Sequence, residues 1–169
     1  FLWPFWCMLY MRNARTVLFR FCFASLVVFQ AACGATGPVS IEPGTEKCQH
    51  CLMMIHDMRF HTQAINTHGK IRHFDSIECA MLYKEERKEE LRSVYAADFL
   101  HPGKYLLLEG GEGDQAVVIH SEKIRSPMAG GLAAISRENS KQMLDRYGGE
   151  AMDVAALARF IRSMGPAAR

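Results

Sequence analysis

The sequence has no acidic residue before Glu42, no cluster of lysine or arginine interleaved with aromatics, and no second cysteine pair at finger-like spacing. Each absence excludes something. Arg12, Arg15 and Arg20 are the only charges in the acid-free stretch, so they account for the formal net charge of +2 and leave the rest of the chain near neutrality. Without a basic patch there is no electrostatic footprint for DNA or RNA, and nucleic acid is not an expected partner. The loop Glu109 to Asp114 (EGGEGD) has glycines but lacks the Gly-Lys-Ser/Thr ending of a phosphate-binding loop, which leaves nucleotide binding without support. Leu52, not His, follows the second cysteine of the one CxxC, so c-type haem attachment is excluded. With 49% hydrophobic and 22% charged residues the chain is not disordered, and 169 residues leave room for one modest domain after a targeting segment is removed.

From Met11 the order is that of a bacterial export signal: arginines at 12, 15 and 20, an apolar run from Phe21 to Phe29, then Ala31, Ala32 and Cys33. The apolar run is too short for a comfortable membrane span. Residues 1–10 carry no methionine at their start and no charge, and translation is expected to begin at Met11. Cys33 after two alanines resembles the lipobox of bacterial lipoproteins, whose cysteine carries the lipid; an ordinary cleavage near Ala32 with Cys33 unmodified is the alternative. Gly34 after the cysteine resembles lipoproteins sorted to the outer membrane. Residues 1–32 are thus expected to be an upstream extension plus signal, residues 33–46 a Gly/Pro-rich tether, and residues 47–169 the domain.

The domain reads as two blocks, about 47–100 and 101–165, that repeat one plan. In the first, Phe60 to Thr67 and Lys70 to Phe74 flank the turn signal His68-Gly69. A helix follows, with Asp75 as N-cap, Glu78 three residues on, and Ile77, Met81 and Leu82 as its apolar face. Ser93 to Phe99 is the next strand. In the second block Ala116 to His120 and Gly131 to Ile135 are strands, and Ser136 caps a helix carrying Met143, Leu144 and Tyr147 that Gly148-Gly149 ends. A last helix, Val154 to Met164, starts after Asp153 and stops at Gly165-Pro166. The expected fold class is α+β, two ββαβ-type units in tandem with a C-terminal helix.

The chemistry concentrates in Cys48 to His61, CQHCLMMIHDMRFH. Two thiols, three thioethers (Met53, Met54, Met58) and three imidazoles share fourteen positions. Thioether sulfur is a soft, neutral donor that favours Cu(I) over Zn(II), Mg(II) or Ca(II), so Cys48, Cys51 and Met53 are candidate copper ligands. Met53, two residues after Cys51, can turn its sulfur to the same side in an extended segment, whereas Met54 turns away. His50, between the thiols, is the candidate imidazole; His56 and His61 are expected to be solvated. Cys79 is expected to be a small buried hydrophobe. Met128, in Ser126-Pro127-Met128-Ala129-Gly130-Gly131, lies on a loop and is a candidate remote ligand. The CxxC also admits a redox disulfide or half a zinc site.

The order lipobox, Cys48-x-x-Cys51-x-Met53, hairpin, Phe74-Asp75 at a helix start, Tyr95 to Phe99, and Pro127-Met128 before glycines resembles the NosL family, accessory lipoproteins of nitrous oxide reductase. The resemblance runs from Cys48 to about Phe160. It implies two ββαβ units, Cu(I) held by the CxxCxM motif and the Pro-Met element, and delivery to apo nitrous oxide reductase or its copper-maturation membrane complex. It also implies a non-enzymatic, periplasm-facing lipoprotein; with Gly34 the expected anchor is the periplasmic side of the outer membrane, the inner membrane being the alternative. Leu52 stands where the family usually has glycine, and His50 where an aromatic is frequent. The rivals are a periplasmic thiol-disulfide oxidoreductase using Cys48 and Cys51 and a zinc-bearing scaffold lipoprotein.

Overall fold

The structure, a computed structural model, describes residues 36–111, 113 and 115–164. The export signal, Met11, Cys33 and Gly165-Pro166 lie outside the described residues. Among the described residues seven strands and three α-helices follow one another: β1 (Thr62–Asn66), β2 (Ile71–Phe74), α1 (Ile77–Arg87), β3 (Leu91–Ala97), β4 (Tyr105–Gly110), β5 (Ala116–His120), β6 (Leu132–Ser136), a 3-10 turn Arg137–Asn139, α2 (Ser140–Tyr147), β7 (Glu150–Met152) and α3 (Val154–Met164). The ββαβ plan occurs twice, as β1-β2-α1-β3 and β5-β6-α2-β7, with β4 between the copies and α3 at the end. The fold is α+β as expected.

All strand pairs within the two sheets are antiparallel, in the orders β2-β1-β3-β4 and β6-β5-β7. Gly69, at φ +76°, closes the β1-β2 turn in the left-handed conformation a side chain resists. Alternation along the strands sorts their side chains to two faces. Ala64, Val94, Ala96 and Leu108 of the first sheet, and Val118, Leu132 and Ala134 of the second, enter one core with Ile77, Ala80 and Met81 of α1 and Leu157 and Ile161 of α3. Ile119, Ala133 and Ile135 turn the other way, onto Met143 of α2, Phe60 and Phe99. Helix α1 is therefore covered by residues from both ββαβ units, and its first turn is enclosed. Burial of each such Leu or Ile contributes about 1.5–3 kcal/mol.

The N-terminal part of the domain is docked. Gln63, fully buried in the middle of β1, accepts a hydrogen bond from Val39 N–H (3.0 Å) and donates one to the Val39 carbonyl (2.7 Å). Ile41 packs on the core, so the segment read as tether joins the fold from Val39 onward. Among the described residues no helix is long and apolar enough to cross a membrane.

Candidate metal centre

The CxxC motif forms a tight return. Lys47 and Met54 form an antiparallel bridge, Cys48 N–H donates to the Met53 carbonyl (2.8 Å), and Leu52 N–H donates to the Cys48 carbonyl (3.0 Å). Gln49 N–H donates to the carbonyl of His73 in β2 (2.9 Å), which ties the loop to the sheet edge. Closing this return puts Leu52 at φ +65°, a left-handed conformation that strains a side chain and suits glycine.

Helix α1 supplies the other wall. Asp75 was the expected N-cap; Ser76 takes that role instead, its Oγ accepting from Cys79 N–H (3.3 Å). The two residues are adjacent and equally suited to capping, and the one-residue shift leaves the Asp75 carboxylate free to face the cysteine loop. Cys51 donates its thiol hydrogen to Asp75 Oδ2 (3.3 Å), while Asp75 Oδ1 is buried with no partner among the described residues. The third sulfur comes from Cys79, one turn into α1. The ligand atoms of Cys48, Cys51, Cys79 and Asp75 all lie within 4.8 Å of one another. Cys79 is indeed fully buried, as the apolar pattern implied, but it is also a member of the donor cluster. Only the helix start at Phe74-Asp75, which orients residue 79 toward the preceding loop, could have signalled this.

The three thiols are inequivalent. The Cys79 thiol donates toward the Cys48 sulfur; with backbone N–H groups of residues 75, 51 and 50 it outweighs burial and brings the Cys48 thiol down to about 6. Cys51 is pushed up to about 12, chiefly by burial, with the Cys48 thiolate and Asp75 adding like-charge repulsion. Cys79 is pushed up by giving its hydrogen to Cys48, and by burial. Cys48 is therefore the first of the three to lose its proton, and Cys51 and Cys79 give theirs up to a thiophilic cation. Cys48 and Cys79 are fully buried, whereas Cys51 is partly exposed and opens the cluster to solvent.

The remaining candidates are placed as follows. Met53 is exposed on the loop beside Cys51, and Met54 is exposed as well. Met128 is half-buried on its loop and packs against the core that contains Cys48 and Cys79. His50 lies outside the four-residue group; its Nε2 is 3.3 Å from Glu86 Oε2 of α1, and its Nδ1 is buried without a partner among the described residues. His61 is not solvated but fully buried, with Nδ1 2.7 Å from the Tyr105 hydroxyl and Nε2 3.2 Å from His73 Nδ1. Burial, with a smaller contribution from His73, lowers its pKa to about 3. Strand β1 starts at Thr62, two residues later than expected, and His61 just ahead of it lies in the interior.

No family profile matches the sequence, and no curated protein matches it. Among solved structures, the crystal structure of the copper chaperone NosL from Shewanella denitrificans superimposes with a TM-score of 0.54 at 16% identity, covering 69% of this chain and 92% of that one. At this identity the relation is one of architecture. The chain has a NosL-like fold, two ββαβ units whose helices pack in two different clusters, α1 in the larger core and α2 in the smaller one.

Proposed function

We propose that the protein is a copper carrier that binds Cu(I) through Cys48, Cys51 and Cys79, exported and lipid-anchored through Cys33, and that it supplies copper to nitrous oxide reductase or its maturation machinery. The observation that carries this is the convergence of three thiols around a point reachable through one half-exposed sulfur. Sulfur donors suit a soft monovalent ion, and a buried pair behind an accessible third thiol holds the ion while leaving one ligand open to exchange. Met53 and Met128 supply the thioethers that discriminate against harder ions. No bond in a substrate is made or broken. The copper chaperone that shares the fold supports the same role.

The test is anaerobic competition for Cu(I) against bicinchoninate. Cys48→Ser, Cys51→Ser and Cys79→Ser are each expected to weaken binding by about 100-fold or more, beyond the 10–100-fold typical of losing an outer partner. Wild-type affinity in all three would refute the assignment. The three thiolates together with the Asp75 oxygen are also a donor set that holds Zn(II). Elemental analysis of protein isolated without oxygen decides between copper, zinc, and the metal-free state expected of an oxidoreductase.

A further inference from the structure

Glu78 has no place in the donor cluster, yet it is fully buried beside Cys79 in the first turn of α1. Its Oε1 accepts a hydrogen bond from Ser126 Oγ at 2.6 Å, and the same Ser126 Oγ accepts from Gly131 N–H at 3.0 Å. Gly130 lies so close over the carboxyl that a Cβ there would sit 2.6 Å from Oε1. The loop closes on itself through Ala129 N–H to the Ser126 carbonyl (2.9 Å), with Ala129 at φ +57°. A single acid thus pins the loop between β5 and β6 onto the helix turn that carries Cys79. Met128 is at the tip of that loop, packed against the core that contains Cys48 and Cys79.

Stability alone is a poor reason for an acid at this position. Glu78 Oε2 is buried without a partner among the described residues, a cost an apolar side chain would avoid. We propose that Glu78 is a positioning residue of the metal centre: through Ser126 it fixes the loop from the second ββαβ unit so that the Met128 thioether reaches the cuprous ion held by the thiols of the first. This rests on the proposed copper-carrier role and adds a specific dependence to it. Outer partners that orient a ligand typically set 10–100-fold of metal affinity.

The experiment is a double-mutant cycle on the full chain, read by Cu(I) competition with bicinchoninate and by thermal melting of the metal-free protein. Met128→Leu is expected to weaken Cu(I) binding by roughly tenfold. Ser126→Ala and Glu78→Leu are each expected to give a similar loss, and adding Met128→Leu to either should cost nothing more. Glu78→Gln keeps the accepting oxygen and should retain wild-type affinity. Ser126→Ala serves as the probe if Glu78→Leu does not fold. Additive losses would overturn the proposal, as would a lowered melting point with unchanged copper affinity, or a silent Met128→Leu. Failure of the carrier role is separable: copper would then survive replacement of all three thiols, whereas loss of copper in those variants with an additive cycle condemns only the role of Glu78.

Discussion

The two ββαβ units share a plan and differ in what their helix starts are used for. In the first, Ser76 caps α1 through its side chain, which leaves Asp75 to face a thiol and brings Cys79 up to the loop ahead of β1. In the second, Ser136 precedes a 3-10 turn and makes no side-chain cap bond to the backbone; of α2 only Met143 is fully buried. The first unit has a cysteine-bearing loop in front of its opening strand, held to β2 by Gln49. The second has no cysteine loop and contributes the segment Ser126 to Gly131, from between its strands, which is hydrogen-bonded to Glu78 of α1. Chemistry here is added to one copy of a repeated scaffold by an N-terminal extension, while the other copy supports it.

The largest expected effect tests the supporting role of the second unit. Gly149, at φ +87°, would place a Cβ 1.9 Å from the His120 carbonyl oxygen. Gly149→Ala is expected to cost about 3 kcal/mol of stability, from overpacking and a left-handed backbone together. Cu(I) stoichiometry measured below the lowered melting point should be unchanged; a lost site would show that the packing around Gly149 shapes the thiol cluster itself.

Acid should strike the first unit. The folded state holds His61 neutral down to about pH 3, against 6.5 for the free side chain. Between these values the unfolded chain binds the extra proton, so this contribution is complete above about pH 6.5 and is lost as pH falls toward 3. One such group gives a slope of up to about 1.4 kcal/mol per pH unit. His73, also lowered chiefly by burial, acts in the same direction. Melting points of wild type and His61→Gln from pH 7 to 5 check this, and the variant should show the flatter curve.

The cap comparison gives a smaller effect. Ser76→Ala should cost about 1 kcal/mol because it orphans the Cys79 N–H, whereas Ser136→Ala should cost only a few tenths. Equal losses in urea unfolding would contradict the asymmetry. Smallest of all, Leu52→Gly should raise stability by about 0.5 kcal/mol, the relief of left-handed strain partly offset by a more flexible unfolded chain. Cu(I) affinity of that variant reports how far the strained turn shapes the site.

Much of this was legible in the sequence because it depends on period and punctuation. The α3 boundaries, Val154 and Met164, follow from an apolar stripe behind Asp153, whose carboxylate accepts from Ala156 N–H. The β1-β2 hairpin follows from His68-Gly69. Strand β4 was not seen, since Leu106, Leu107 and Leu108 are all buried and show no alternation. Strand β7 has three residues, two of them exposed, too few to carry a pattern. At the site, the CxxC was plain from spacing alone. Cys79 and Asp75 were not, because their role is created by the packing of α1 against a loop more than twenty positions away. The burial of Glu78 likewise depends on a partner in the other unit.

The clasp of Val39 by Gln63 has a mechanical consequence. The amide engages both backbone groups of Val39, as a neighbouring strand would, and it does so from β1, which is flanked by β2 and β3. Tension applied to the chain ahead of Val39 is borne first by these two bonds and by an inner strand of the sheet. The cysteine return lies downstream of that anchor point. Its geometry is thereby insulated from a force applied upstream of Val39.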